Sequence, residues 1–131
     1  MSPRPQDAAP RHRVLIVDDE ESTRLLIARL LTRGMKLEAQ LAGTCEQALR
    51  LARNYAYDAI LLDLLMPGIG GLAVLYRVRR SGPNAATPVI VISAVKDEES
   101  IARCMSAGAS AYLVKPVGPA ELARTVKQHL G

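Results

Sequence analysis

The sequence predicts an α/β domain in which a doubly wound, five-stranded parallel sheet carries helices on both faces, a three-layer sandwich. Three observations predict it. Five short apolar runs alternate with five segments whose apolar residues recur at helical spacing, the pattern of repeated β–α units. Most of the runs are nearly continuous, without the alternation of a sheet that has one wet face, which implies that helices cover both. At 131 residues, 49% of them hydrophobic, the chain makes one domain with a core of its own.

The first strand is residues 14–17, ending at Asp18 and Asp19. Residues 21–33 are helical, with Ile27, Leu30 and Leu31 on one face and Gly34 as the stop. Residues 36–42 alternate polar and apolar and read as a second, less buried strand, hence a sheet edge. Thr44 is placed to cap a helix carrying Ala48, Leu49 and Ala52. Residues 59–63 are the third strand, ending at Asp63. A loop with Pro67 and three glycines leads to a helix over 72–80, where Arg79 and Arg80 suit the negative end of the dipole. A turn at 81–84 precedes the fourth strand, 89–93, which ends on Ser93. Asp97 caps a helix over 97–107, with Glu98 and Glu99 in its first turn and Gly108 at its end. Residues 111–114 form the fifth strand, with Lys115 just after it, and Pro119 opens a closing helix. Parallel strands so connected require right-handed crossovers.

Residues 1–12, with three prolines and little to bury, read as a disordered leader, and the domain runs from 13 to 131. Phe and Trp are absent, so the expected core is aliphatic. No apolar run is long enough to span a membrane and no secretory h-region opens the chain; a cytoplasmic location is expected. Cys45 and Cys104 lie far apart in no metal-binding spacing and read as reduced, small helix residues. The formal net charge of +4 includes three basic residues and one acid among the first 13, leaving 14 basic against 12 acidic beyond them. That is too weak a surplus to argue for nucleic acid.

In a parallel α/β sheet, ligands bind beyond the carboxyl ends of the strands. Asp18 and Asp19, Asp63, Ser93 and Lys115 stand at the ends of every strand but the polar edge strand. Any one of these aspartates alone is as readily a helix cap; their coincidence at one sheet edge is harder to dismiss. Clustered carboxylates repel one another unless a cation is present, and an all-oxygen donor set with no His or Cys suits Mg²⁺. A carboxylate beside such an ion can attack phosphorus, with the metal and an ammonium offsetting charge on the transferring group. The residues thus point to a Mg²⁺-dependent phosphoryl-acceptor site.

Residues 13–130 resemble the receiver domains of two-component response regulators. The resemblance rests on Val14-Leu15-Ile16-Val17-Asp18-Asp19-Glu20, on Leu61-Leu62-Asp63-Leu64-Leu65-Met66-Pro67-Gly68 with Gly71-Leu72, on Pro88-Val89-Ile90-Val91-Ile92-Ser93-Ala94, and on Ala107-Gly108-Ala109 with Tyr112-Leu113-Val114-Lys115-Pro116. It implies a flavodoxin-like fold with strand order 2-1-3-4-5. It implies that Asp63 accepts phosphoryl from a sensor histidine kinase or a histidine phosphotransfer protein. Asp18, Asp19, Asp63 and the Leu65 backbone carbonyl would hold Mg²⁺. Lys115 and Ser93 would contact the phosphoryl group, with Lys115–Pro116 a cis peptide, and Ser93 with Tyr112 would form the switch. Such a domain is no turnover enzyme; it catalyses only its own phosphorylation and dephosphorylation. Its output is a changed surface over 97–130, where Lys96, Arg103, Arg124 and Lys127 are either a basic partner surface or an ordinary solvated face. A downstream protein or output domain and a phosphorylation-dependent homodimer are the expected partners; direct nucleic-acid or membrane binding by this chain is not expected.

Three departures from the family pattern stand out. Gly70 occupies a position where many relatives carry Asp, which frees the loop backbone. Leu65 and Val95, two residues past Asp63 and Ser93, are both apolar, which predicts poor access for attacking water and a long-lived phosphoryl group. Ser93 replaces the commoner Thr and keeps the hydroxyl. Other readings have specific objections. An aspartyl phosphatase would carry a second Asp where Leu65 stands; a degenerate receiver would lack the intact acidic set; a flavin binder would want Trp or Phe, which this chain lacks. With so few residues beyond the last helix, the expectation is either a stand-alone regulator or the N-terminal part of a larger one.

Overall fold

The computed structural model describes residues 12–130. The expected leader lies outside them except for His12, which joins the first strand one residue before the expected start of the domain. Five strands, β1 (His12–Val17), β2 (Leu37–Ala42), β3 (Ala59–Leu62), β4 (Val89–Ser93) and β5 (Ala111–Val114), alternate with five helices. These are α1 (Glu21–Gly34), α2 (Cys45–Asn54), α3 (Gly71–Arg80), α4 (Glu98–Ser106) and α5 (Pro119–His129). All strands pair in parallel in the order β2-β1-β3-β4-β5. The polar strand β2 lies at an edge, as its alternation predicts. The chain moves outward from β1 to β2 and then returns past β1 to β3, so the order reverses beside the C-terminal ends of β1 and β3, where α/β sheets open to ligands.

Side-chain alternation along the buried strands feeds two cores. Leu15, Val17, Ile60, Leu62, Val89 and Val91 face one layer with Ala48, Leu49 and Ala52 of α2, Val74, Leu75 and Val78 of α3, and Cys104 of α4. Val14, Ile16, Leu61, Ile90, Ile92 and Leu113 face the other, against Ile27 and Leu31 of α1 and Leu122 and Val126 of α5. Each such Leu, Ile or Val, fully buried, contributes about 1.5–3 kcal/mol of transfer free energy. One aromatic residue departs from the expected aliphatic core: Tyr57 is buried, with its hydroxyl hydrogen-bonded to Gln40. Both cysteines are free and buried.

The predicted caps form. Thr44 Oγ1 accepts from the Gln47 amide at 3.1 Å, Asp97 accepts from the Ser100 amide at 2.9 Å, and Gly108 leaves α4 with φ +108°. Two details differ from expectation. Gly34 is the last residue of α1, and the chain exits through an extended Met35 whose N–H reaches the Leu31 carbonyl. Arg79 does not serve its own helix end. Two guanidinium nitrogens donate to the Gly108 carbonyl at 3.0 and 2.9 Å, and the third to those of Thr87 and Ala85 at 2.7 and 3.2 Å. It thereby ties α3 to the turns before β4 and β5. Among the described residues no helix is long and apolar enough to cross a membrane.

Candidate functional site

Register brings the first two acidic positions together. Val17 of β1 pairs with Leu62 of β3, so the residues that follow, Asp18 and Asp63, leave the sheet side by side. Backbone bonds extend one residue further: the Asp18 amide donates to Ala42 and the Asp63 amide to Val17 at 3.1 and 3.0 Å. Both carboxylates therefore sit on rigid backbone and are 2% and 6% exposed, whereas Asp19 faces solvent. Oxygens of all three lie within 4.8 Å of one another.

Lys115 reaches the same point from the end of β5, 97 residues after Asp18. Its amide donates to the Ser93 carbonyl at 2.9 Å, the Lys115–Pro116 peptide is cis, and Nζ lies 2.8 Å from Asp18 Oδ2 and 3.0 Å from Asp63 Oδ2. Burial works against the ammonium charge, but hydrogen bonds to Asp18 and Asp63 and the charges of both outweigh it and hold the Lys115 pKa above its ordinary value. The other oxygens, Oδ1 of each, accept from the backbone amides of Glu20 and Leu65 at 2.9 and 3.1 Å. A carboxylate offers about four lone-pair sites, so acceptor capacity remains. One ammonium against three carboxylates leaves a negative cluster of oxygen donors, of which Asp19 is exposed. Those residues fit a hard divalent cation that retains water, the Mg²⁺ pattern.

Ser93 is fully buried at the end of β4, where its Oγ accepts from the Val95 amide at 3.3 Å. Tyr112 is half-buried beside it, its hydroxyl donating to the Val95 carbonyl. Burial raises the Tyr112 pKa, opposed by a hydrogen bond from the Ser93 side chain. The ring thus already points inward in this conformation. Leu65, two residues past Asp63, is 57% exposed. The Met66 amide turns back to the Leu64 carbonyl at 3.0 Å, so the Leu65 carbonyl, on the opposite side of that peptide, points away from Leu64.

Two loop glycines have separate reasons. Gly70 sits at φ 86°, ψ 159°, a region open essentially to glycine alone. Gly71 is instead held by space, since a Cβ there would lie 2.1 Å from the Asp63 carbonyl oxygen.

Arg24 belongs to the site although it stands in none of the motifs that the sequence offers. Its guanidinium donates to the Asp18 carbonyl at 2.8 Å and fixes the turn that presents the acidic pair. The signal was available: a cation in the first turn of a helix opposes the macrodipole, so Arg24 needs a reason outside its own helix.

The family model described as "Response regulator receiver domain" matches residues 14–127. The chain is 40% identical over 116 residues to the sensory/regulatory protein RpfC of Xanthomonas campestris pv. campestris, covering 87% of this chain and 16% of that protein. It is 36% identical to the response regulator GacA of Pseudomonas aeruginosa, covering 88% of this chain and 54% of that one. The chain therefore spans about half or less of these relatives. Among solved structures, the receiver domain of the sensor histidine kinase PA1611 of Pseudomonas aeruginosa PAO1, described with a magnesium ion coordinated in its active-site cleft, superposes with TM-score 0.83 at 29% identity. That match covers 92% of this chain and 98% of that one.

Proposed function

The chain belongs to the response regulator receiver domain family, and from that premise we propose that Asp63 is its phosphoacceptor, with Mg²⁺ held by Asp18, Asp19, Asp63 and the Leu65 carbonyl. The observation that carries this reading is the convergence of Asp18, Asp63 and Lys115 within hydrogen-bond distance at the strand-order reversal. In the transfer, an Asp63 carboxylate oxygen forms a bond to phosphorus while the P–N bond to the donor's histidine breaks, its electron pair remaining on the imidazole. The donor is a sensor histidine kinase or a phosphotransfer protein. Bound Mg²⁺ supplies positive charge against the crowded oxygens. Lys115, already beside Asp63, exchanges its carboxylate contact for a phosphoryl oxygen, and Ser93 supplies a hydroxyl donor to another.

Drawing Ser93 toward the phosphoryl group releases its bond to the Val95 amide and alters the support under Tyr112, so α4, β5 and α5 shift as a population between two states. Output is then read by a protein partner, an output domain or a second copy of this chain on that face. A cytoplasmic location, and a domain spanning residues 13–131 with a separate leader, belong to the same reading.

The test is intact-mass spectrometry after incubation with acetyl phosphate and Mg²⁺. Gain of one phosphoryl group, about 80 Da for HPO₃, that needs Mg²⁺ and is lost in Asp63→Asn is the expected result. No gain, together with no binding of beryllofluoride, would leave a receiver fold that acts only as an interaction module.

A further inference from the structure

Away from the phosphorylation site, α2 and α3 pack side by side and leave a cavity of about 380 Å³. Arg53, Arg77 and Arg80 line it, over a floor of Leu49, Ala52 and Val78. All three arginines lie toward the C-terminal ends of their helices, at the opposite end of the sheet from Asp63.

The arginines need an explanation beyond the helix dipole. Each suits the last turn of its own helix, but the dipoles of two separate helix ends do not require that their guanidiniums line one groove. Among the described residues none of the three makes an ion pair, although Arg103 pairs with Glu99 and Arg13 with Glu38 on other parts of the molecule. Helix α3 carries no acidic residue at all. Like charges gathered without counter-charge favour whatever brings carboxylates or phosphates to them.

We propose that the α2–α3 groove is a docking surface for an acidic, amphipathic protein segment. The groove combines two features that such a segment would match. Guanidiniums on the walls take carboxylates in bidentate geometry, and the aliphatic floor takes the apolar side chains between them. A nucleic acid matches only the first feature. Its bases gain affinity by stacking on aromatic residues, and the exposed tyrosines of this region, Tyr55 and Tyr76, are not among the lining residues. The surface is separate from the α4–β5–α5 face and does not depend on the phosphoacceptor assignment.

The test is fluorescence anisotropy with two labelled probes of equal charge, a peptide alternating Glu with Leu and a single-stranded oligonucleotide. The full chain is compared with Arg53→Gln/Arg77→Gln/Arg80→Gln, which is checked by circular dichroism and thermal melting. Should the triple variant fail to fold, each single variant takes its place. The expected result is peptide binding that weakens with salt and falls at least about tenfold in the triple variant, a change of about 1.4 kcal/mol, with amide shifts on α2 and α3 in NMR spectra. Peptide binding that survives the substitutions, shifts confined to α4 and α5, equal or tighter oligonucleotide binding, or no binding of the peptide would each overturn the proposal.

Discussion

Lys115 places its ammonium 3.0 Å from the Asp63 carboxylate, and the same nitrogen reaches Asp18 at 2.8 Å. One lysine thus neutralises part of a cluster built from two other strand ends. Removing it leaves two buried carboxylates without their cation. Breaking a fully buried pair costs about 3–5 kcal/mol, but a quarter of the Lys115 side chain is exposed. Lys115→Met is therefore expected to lower stability by a smaller amount, about 1–3 kcal/mol. Mg²⁺ is expected to restore more stability to this variant than to the parent, because each carboxylate then lacks the one side-chain cation that pairs with it among the described residues. Urea unfolding of both proteins with and without Mg²⁺ measures this. Equal Mg²⁺ effects would separate the lysine from the metal site.

Phosphoryl lifetime is expected to depend on Leu65 and Val95. Leu65 is exposed two residues past Asp63, and Val95 is half-buried two past Ser93; neither side chain can hydrogen-bond an attacking water. Leu65→Asn and Val95→Glu together are expected to speed loss of the phosphoryl group by about tenfold or more, a barrier change of about 1.4 kcal/mol. The decay of the phosphorylated mass with time after removal of acetyl phosphate is the readout. An unchanged lifetime would show that these two positions do not control access.

The site was more legible in the sequence than the scaffold that holds it. Asp18, Asp19, Asp63, Ser93 and Lys115 announced themselves because each ends an apolar run, and strand ends are few. Asn84 gave no such signal, sitting in a turn cluster that reads as surface. Yet it is 1% exposed. Its amide donates to the Ala52 and Tyr55 carbonyls at 2.6 and 2.7 Å and accepts from the Tyr57 amide and Thr87 hydroxyl at 2.8 and 3.0 Å. Arg79 was similarly assigned to the nearest helix end, because its carbonyl partners are backbone atoms up to 29 residues away. Contacts to backbone have no residue-type signature, and only the fold reveals them.

Asn84→Ala therefore tests a structural role. It strands buried backbone carbonyls and an amide, each costing about 1–3 kcal/mol when unsatisfied. A loss of about 2–4 kcal/mol in urea unfolding is expected, with phosphorylation of the folded fraction unchanged. A loss below 1 kcal/mol would mean that water replaces the amide at little cost.

The two loop glycines are expected to respond differently to alanine. At Gly70 the space is open but the backbone is not, and Gly70→Ala is expected to cost about 1–3 kcal/mol through φ/ψ strain alone. At Gly71 the new Cβ meets the backbone of Asp63 and Leu64, which a side-chain rotation cannot relieve. Gly71→Ala is expected to cost at least as much, at the upper end of the about 1–3 kcal/mol typical of overpacking or beyond it. It is also expected to displace Asp63, so that phosphorylation slows even in folded protein. Thermal melts and phosphorylation rates of both variants separate strain from displacement.

Asp97 offers a pH-dependent prediction on the switch face. Its carboxylate caps α4, and hydrogen bonds from Ser100 hold its pKa below the ordinary value. Because the folded pKa is the lower one, the unfolded chain binds the proton first as pH falls. The cap's contribution is thus complete above the unfolded pKa of about 3.9 and is lost as pH falls through the folded value. In protein kept folded, the first turn of α4 is expected to fray over that range while the first turn of α2, capped by the uncharged Thr44, does not. Amide NMR of Ser100 and Gln47 during acid titration checks it. Asp97→Asn, which keeps a good capping side chain but removes the charge, is expected to reduce the pH dependence to what Glu98 and Glu99 of the first turn contribute and to leave the helix formed. Parallel fraying of both helices would instead mark global acid unfolding.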